Sequence, residues 1–271
     1  MGLEGPLARF TDAVVGKLVE VEAAEAAYVE ALGGTREAVV GAVCAVHDRL
    51  PHPAFNLALS LDAEGQDVGT FLRRIEHTFA PKGLPFQVVC SPLSQPADLE
   101  HLVRVRGYLL LSRRLWMELN QRPPSDPEVP RLSVDPTMDT RVWAATCARG
   151  LEVPAAQGML EAVAGHTARA PGHALLVARW EGDPVGAVEV SVNEGIAVLR
   201  RLSVVAHARE RPVARALVHA ACEFAYEHDA YRTMTRVFSG AGAERLMESL
   251  GFGGTHLSAD LVRAYPPYLL D

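Results

Sequence analysis

The segment that most constrains the fold of this chain is Leu202–Val218, which reads LSVVAHARERPVARALV. Its apolar residues predict a strand that ends at Val204–Val205, and a helix is predicted to begin near Pro212 after a short turn. A strand that leads through a loop into a helix N-terminus often binds phosphate, because backbone N–H groups and the helix dipole point at the anion. Proline has no N–H, so the sequence predicts a phosphate loop that lacks one donor at its centre.

Two motifs in a fixed order carry a family resemblance. The loop Arg209–Ala214 has an Arg, two residues, Pro212, one residue and an Ala, and further along the chain Met247 precedes a Leu-Gly-Phe run at Leu250–Phe252. With the strand before the loop, these motifs resemble the GNAT superfamily of acyl-CoA-dependent N-acyltransferases over about residues 133–265. GNAT proteins usually carry a Gly at the position of Pro212 and a Tyr at the position of Met247.

The resemblance implies an enzyme of the GNAT acyltransferase type, with acetyl-CoA or another acyl-CoA as cosubstrate and a small-molecule amine as acceptor. In this family, backbone N–H groups at the end of the strand hold the thioester oxygen, and the loop holds the pyrophosphate. The cofactor-binding residues that the resemblance implies are Val204, Val205, Arg209, Glu210, Arg211, Pro212, Val213, Ala214, Arg215 and Met247.

Three departures from the family pattern bear on the chemistry. Pro212 removes a hydrogen bond to a charged group, which is worth about 1.5–3 kcal/mol of binding. Arg209, Arg211 and Arg215 could partly offset this loss by charge, or they could simply be solvated. Met247 stands where the family has its general acid, and because a thioether cannot donate a proton we expect a Met side chain that faces the core. Val198 stands where many members have a Glu.

Three residues are candidates for the catalytic chemistry. Glu189 lies in the middle of a predicted strand, where a charge is costly unless it is exposed or functional; a solvent-facing position is the alternative. Ser203 lies beside the predicted thioester donors. His207 lies at the entrance of the loop, and histidine exchanges protons near neutral pH; an ordinary surface residue is the alternative.

The clearest boundary in the chain is Arg122–Pro136, which reads RPPSDPEVPRLSVDP and contains five prolines. This composition predicts a connector without secondary structure. It divides the chain into residues 1–121, a linker at 122–136 and residues 137–271. Both parts are predicted to end in a strand, a helix, a Gly-aromatic pair and a strand. Residues 53–59, PAFNLAL, resemble the opening of degenerate N-terminal lobes in tandem GNAT proteins.

We therefore predict a mixed-sheet α/β fold with two GNAT-like lobes in tandem, the first without a cofactor loop. The alternative is one α/β domain with a long N-terminal extension. Hydrophobic periodicity predicts a helix at Val68–Phe79 and single strands at Ala38–Val46 and Ile196–Val205. It also predicts a helix at Val213–His228.

Composition narrows the range of partners. A net charge of −7 argues against nucleic acid or an anionic membrane as the main partner. The four cysteines are scattered without ligand spacing, which favours a reducing cytosol and no metal site. The N-terminal residues lack a signal-peptide pattern, and no apolar run approaches the roughly 18 residues of a membrane helix. We expect a cytoplasmic protein, and a monomer rather than a homodimer because tandem lobes can replace dimerisation.

Three functional hypotheses remain open from the sequence. The first is acyl transfer, most simply acetyl transfer, to an amine of a small molecule. The second is a GNAT fold used for hydrolysis, decarboxylation or cyclisation, which rests on Pro212, Met247 and Val198. The third is a tandem GNAT protein that binds a ligand without catalysis.

Overall fold

The computed structural model describes residues 12–120, 129–238, 240 and 242–263. The chain forms two compact units. The first unit comprises Met1–Leu115 and His256–Asp271, and the second comprises Trp116–Thr255. The first unit therefore takes its last strand segment from the C-terminal part of the chain. The predicted lobes, 1–121 and 137–271, are each continuous in sequence, and this division into lobes stays a prediction.

Within its described residues, the first unit contains three α-helices and six strands or strand segments. Its helices are α1 (Asp12–Ala31), α2 (Val68–Phe79) and α3 (Leu99–Val105). Its strands are β1 (Thr35–Val39), β2 (Ala42–Val46), β3 (Leu57–Leu59), β4 (Gln87–Cys90), the first part of β5 (Tyr108–Leu119) and the second part of β11 (Phe252–Arg263). The strand order is β1-β2-β3-β4-β11-β5. The strands β3 and β4 are parallel, and the pairs β1–β2, β2–β3 and β4–β11 are antiparallel.

Helix α2 has the bounds that its periodicity predicts. It buries Phe71, Ile75 and Phe79 against the sheet, because apolar residues at helical spacing share one face. The predicted single strand at Ala38–Val46 is wrong. The chain turns there, with Gly41 at φ +81°, and forms the β1–β2 hairpin; glycine adopts this left-handed conformation without a steric cost.

In the part that the structure describes, the second unit contains four α-helices and five further strands. Its helices are α4 (Thr140–Gly150), α5 (Gln157–Thr167), α6 (Val213–Glu227) and α7 (Gly242–Ser249). Its strands are β6 (Leu132–Pro136), β7 (His173–Trp180), β8 (Asp183–Asn193), β9 (Ile196–Val204) and β10 (Arg232–Phe238), next to the end of β5. The order is β5-β10-β9-β8-β7-β6. The pairs from β6 to β9 are antiparallel, and β9–β10 is parallel. Mixed sheets with helices confirm the predicted α/β class.

Strand β6 corrects the prediction of a connector at 122–136. Residues 122–128 of that segment lie outside the described residues, but Leu132–Pro136 pairs with β7. A strand at the end of the strand order tolerates proline because one of its edges needs no ladder hydrogen bonds. The proline content thus predicted a connector where the chain forms an edge strand.

Helices α4 and α6 of the second unit pack against the sheet at β8. Trp143 of α4 is fully buried, and its indole N–H donates to the Val188 carbonyl oxygen at 3.1 Å. Helix α6 approaches β8 at Gly186, where a Cβ atom would lie 2.7 Å from Val213 Cγ1. These contacts fix the end of β9 and the start of α6, which together form the candidate site.

Candidate functional site

Strand β9 has one edge that is only partly paired. Its parallel pairing with β10 ends at Leu199, opposite Thr235, and the Thr235 hydroxyl donates to the Leu199 carbonyl oxygen at 3.2 Å. Its antiparallel pairing with β8 continues to Val204, opposite Gly186. The last residues of β9 are therefore held from one side while the edge that faces β10 lacks the ladder.

The backbone of Val204 points toward that edge. The Val205 N–H donates to the Val185 carbonyl oxygen of β8 at 2.9 Å. Because successive residues of an antiparallel strand direct their N–H groups to opposite edges, the N–H of Val204 is directed away from β8. Of the two predicted thioester donors, Val204 directs its N–H to the open edge, whereas Val205 directs its N–H to β8.

A β-bulge lies immediately before this donor. Glu189 faces Arg200, whereas Ala187 faces Ser203, so two residues of β9, Arg201 and Leu202, lie opposite one residue of β8. Arg201 has a φ of +54°, a left-handed conformation that costs a residue with a Cβ roughly 1–2 kcal/mol. Non-glycine strain of this kind is often found near functional sites.

Helix α4 ends against the same backbone. A Cβ atom on Gly150 would lie 2.8 Å from Ser203 Cβ and 2.9 Å from the Val204 nitrogen. The absence of a side chain at Gly150 lets α4 reach the strand. Ser203 itself is buried, and its hydroxyl donates to the Ala187 carbonyl oxygen at 3.2 Å, so this side chain is engaged within the sheet.

Arg209 binds the protein itself. Its guanidinium donates to the Val204 carbonyl oxygen at 3.4 Å, to the Gly150 carbonyl oxygen at 3.2 Å and to the Glu152 carboxylate at 2.6 Å. This side chain therefore ties the end of α4 to the end of β9. The predicted role of Arg209 as a cofactor-binding residue stays a prediction.

The loop offers fewer backbone donors than its length suggests. The N–H of Arg209 donates to the Ala206 carbonyl oxygen at 3.4 Å, and that of Arg211 donates to the Ala208 carbonyl oxygen at 3.1 Å. Pro212, which has no N–H, is the N-cap of α6, and no side chain of the described residues caps this helix. The first-turn N–H groups of α6 have no acceptor within the helix.

The remaining loop residues lie around the start of α6. Arg211 stacks on Trp180, with its Cζ atom 4.4 Å from the ring centroid, which fixes a positive charge by a cation–π contact. Val213 is buried, Ala214 and Arg215 are half-buried, and Glu210 is exposed. A helix N-terminus with nearby arginines is a suitable environment for an anion.

Glu189 is fully buried, which overturns the solvent-facing alternative. The Thr167 hydroxyl donates to its Oε1 at 3.0 Å, and the Arg201 guanidinium donates to its Oε2. Its charge is therefore paired within the fold, as burial requires. Cys147 lies nearby, with its thiol 3.8 Å from the Arg201 carbonyl oxygen, and burial raises the pKa of this thiol to about 11. This cysteine is therefore not a ready nucleophile.

His207 and Met247 occupy opposite environments. His207 is exposed in a short 3-10 turn, Ala206–Ala208, that follows β9. Met247 is 1 % exposed on α7, so the prediction of a core-facing side chain is confirmed. Val198 is also buried and provides only packing.

Sequence reasoning missed the residues that shape the site. They are Gly150, Glu152, Thr167, Trp180 and Arg201. One signal was available, since two successive arginines in a buried strand cannot both face outward when side chains alternate. The pair Arg200–Arg201 thus indicated an irregularity in β9.

The fold and the open strand edge define a mixed α/β domain with a strand–loop–helix suited to an anionic ligand. Residues 141–252 match the model of a family described as Acetyltransferase (GNAT) family. This range contains the open edge of β9, the loop, α6 and the Leu-Gly-Phe run. The resemblance that the motifs carried is confirmed for residues 141–252, and this part of the chain is a GNAT acetyltransferase domain.

Solved structures of GNAT proteins share the fold. A GCN5-related N-acetyltransferase from Kribbella flavida superimposes with a TM-score of 0.67 at 15% identity, over 97% of this chain and 97% of that chain. One from Sphaerobacter thermophilus gives 0.59 at 17% identity, over 82% and 76%. A tandem GNAT protein from the clavulanic acid biosynthesis pathway gives 0.56 at 15% identity, over 83% and 79%. These similarities support two GNAT-like lobes in tandem.

Three other findings bear on the class of protein. A comparison with curated protein sequences finds no match. Within residues 12–120, 129–238 and 242–263, no helix is long and apolar enough to span a lipid bilayer. In the described part of the chain, no group of three or more His, Cys, Asp or Glu is arranged to hold a metal ion.

Proposed function

We propose that this protein transfers an acyl group, most simply acetyl from acetyl-CoA, to an amine of a small molecule. The observation that carries the proposal is the edge of β9, which loses β10 after Leu199 but keeps β8 to Val204. In this proposal the protein acts as a cytoplasmic monomer, with neither nucleic acid nor a membrane as partner.

Parts of the site fit an acyl-CoA well. The Val204 N–H, directed away from β8, would hold the acyl oxygen. The first-turn N–H groups of α6 and the charge of Arg211 would hold the pyrophosphate. The loop before α6 fits less well, because Pro212 has no N–H and the N–H of Arg211 donates inside the turn. We therefore expect acyl-CoA binding with reduced affinity.

Acyl transfer also requires the removal of a proton from the acceptor amine. Glu189 is buried and ion-paired, and the Ser203 hydroxyl donates within the sheet. His207 is the candidate from the sequence that remains exposed, in the turn directly after β9. We assign the proton transfer to His207. A bound acyl-CoA would supply the activated acyl group.

Two substitutions at one position test the role of the backbone. Val204→Pro removes the N–H of residue 204, whereas Val204→Ala keeps it. If this N–H stabilises the developing oxyanion, Val204→Pro should lower kcat by about 10²–10³-fold. It removes no hydrogen bond of the β8 ladder, but its ring lies beside Gly150, so the fold of this variant must be checked before its kcat is interpreted. Val204→Ala should stay near the wild type. Release of CoA thiol with a panel of amines, and circular dichroism for the fold, measure both outcomes.

Calorimetric titration with acetyl-CoA and longer acyl-CoAs tests the proposal directly. No heat at millimolar ligand would exclude an acyl-CoA-dependent function. The internal hydrogen bonds of the loop and Pro212 favour a second candidate, a GNAT fold used for other chemistry. Turnover of an amine or ester substrate without CoA thiol release would support it. Binding of acyl-CoA without turnover of any amine would support a binding protein.

A further inference from the structure

We propose that Glu189 and Arg201 are positioning residues, whose buried ion pair holds the β9 bulge that decides which backbone N–H reaches the open edge. What that N–H binds rests on the proposed function. The geometry of the bulge does not.

The hydrogen-bond pattern before the bulge is set by the hairpin turn. Glu194 and Gly195 have φ values of 53° and 73°, which is the two-residue turn preferred between antiparallel strands. The pair Asn193–Ile196 closes this turn, and the pair that closes a two-residue turn is hydrogen-bonded. Because hydrogen-bonded pairs recur at every second residue, the pair Glu189–Arg200 is hydrogen-bonded as well.

The bulge shifts this pattern by one residue. Beyond it, Ala187 faces Ser203, and the Val205 N–H donates to Val185. In a ladder without the bulge, Val185 would face Val204 instead. The Val204 N–H would then donate to β8, and the Val205 N–H would be directed to the open edge. A register shift of one residue thus exchanges the directions of the Val204 and Val205 N–H groups, as it exchanges the faces of side chains in any sheet.

Arg201 is an unusual residue for this position. Its φ of +54° is a conformation that glycine adopts without strain. The arginine side chain provides a compensating contact, since its guanidinium is bound to the Glu189 carboxylate, which also accepts from Thr167. Glu189 is fully buried and the Arg201 side chain is 18% exposed, so the pair is shielded from water. This contact links α5 and β8 to the strained residue.

A double substitution separates the ion pair from the backbone conformation. Glu189→Gln removes the charge and should allow Arg201 to leave the left-handed region. Arg201→Gly removes the side chain but favours that region. The double variant Glu189→Gln with Arg201→Gly removes both charges of the pair, so neither partner is left alone, and it should fold even if the single variants are unstable. It should also keep the bulge.

Amide hydrogen exchange of Val204 and Val205, measured by NMR, reports the bulge without any ligand. In the wild type and the double variant, the Val205 amide should exchange roughly tenfold or more slowly than that of Val204. In Glu189→Gln the order should reverse or the two rates should converge. An unchanged order in Glu189→Gln, or a loss of the order in the double variant, would overturn the proposal.

Kinetics provide a second readout. With acetyl-CoA and an amine, Glu189→Gln should lower kcat by about 10²-fold while KM for acetyl-CoA changes little. The double variant should return to within roughly threefold of the wild type, because glycine holds the conformation without the pair. A wild type without turnover would refute the proposed function, whereas the exchange data would still decide the role of the pair.

Discussion

The two units share a strand, a helix and a parallel strand in the same order, but the N-terminus of the helix is capped differently in each. In the first unit, β3 leads to α2 and then to the parallel strand β4; in the second, β9 leads to α6 and then to the parallel strand β10. Asp67 caps α2, and its carboxylate accepts from the Thr70 N–H at 2.8 Å. The cap of α6 is Pro212, whose side chain offers no acceptor. The N-terminus of α2 thus binds a carboxylate of the protein itself, whereas the cap residue of α6 provides no negative charge.

The ends of the parallel strands differ in the same way. Ser60 and Ser91 directly follow β3 and β4, and both hydroxyls donate to the Glu22 carboxylate of α1, at 2.7 and 2.5 Å. Glu22 is buried. In the second unit, the Val204 N–H at the end of β9 is instead directed to the edge at which the pairing with β10 has already ended. At these strand ends the first unit pairs its hydroxyl groups with a carboxylate of its own, whereas the second unit directs a backbone N–H to an open strand edge.

Among the variants that compare the two units, the largest effect is expected from restoring the missing backbone donor at residue 212 of the second unit. Pro212→Ala and Pro212→Gly both supply an N–H beside the start of α6. If the phosphate lies there, each should tighten acetyl-CoA binding by about 1.5–3 kcal/mol, which is tenfold or more. Calorimetric titration measures the change.

The pair of variants contains its own control. Alanine restores the N–H without the flexibility of glycine, so similar gains in both indicate the donor. A gain in Pro212→Gly alone would indicate loop mobility. No gain in either would show that the helix N-terminus of the second unit is not the phosphate site, and the contrast between the two units would lose its functional meaning.

The next effect concerns the wall of the open edge. Gly150→Ala would place a Cβ atom 2.9 Å from the Val204 nitrogen, and backbone cannot yield as a side chain can. We expect a loss of about 1–3 kcal/mol in the free energy of unfolding, with reduced acyl transfer. Denaturant unfolding measures the first, and thiol release measures the second.

Gly158→Ala is the matched control, because Gly158 also lies on a helix but has no atom within 4 Å of an added Cβ. It should stabilise the protein slightly, since alanine favours helix over glycine by about 1 kcal/mol. Equal behaviour of the two variants would contradict a close contact at Gly150.

The sequence predicts the parts of the site that local patterns determine. The strand, turn and helix of Leu202–Val218 follow from alternation, a turn and a helix start, and β9 and α6 have nearly the predicted bounds. The bulge at Arg201 could not be predicted in the same way. It depends on the register with β8 and on Glu189, a partner that only the folded sheet brings close. The burial of Glu22 was equally hidden, because its serine partners lie far along the chain.

A smaller effect should appear in the pH dependence of the first unit. Burial raises the pKa of Glu22 above its ordinary value of 4.5, although the Ser91 and Ser60 hydrogen bonds oppose the shift. A raised pKa in the folded state means that stability is fully present below about pH 4.5 and is lost as pH rises through the folded pKa. Glu22→Gln does not titrate, so it should lack this loss. Melting temperatures from pH 4 to 8 measure both proteins.

Ser91→Ala sharpens the same test. It removes a hydrogen bond that favours the charged carboxylate, so the pKa of Glu22 should rise further and the loss of stability should extend to higher pH. If Glu22→Gln and the wild type have parallel pH profiles, the carboxylate does not fill the strand ends of the first unit in the way that the structure indicates.

The smallest effect is expected at the cap of α2. Hydrogen bonds from Thr70 lower the pKa of Asp67, so its contribution to stability is present above the ordinary pKa and is lost as pH falls through the lowered one. Asp67→Ala should therefore lower the melting temperature slightly at neutral pH and match the wild type in strong acid. Asp67→Asn should keep most of the cap, because asparagine also accepts from the first turn.

Acyl-CoA titration of Asp67→Ala then separates the two features that distinguish the units. The variant leaves the α2 N-terminus without its carboxylate, but Glu22 still occupies the ends of β3 and β4. In the proposed function, acyl-CoA binding needs both a helix N-terminus for the pyrophosphate and an open strand edge for the thioester. We therefore expect the variant to bind one acyl-CoA per chain, which is also the number expected for the wild type. A second bound equivalent would mean that the cap alone excludes the ligand from the first unit.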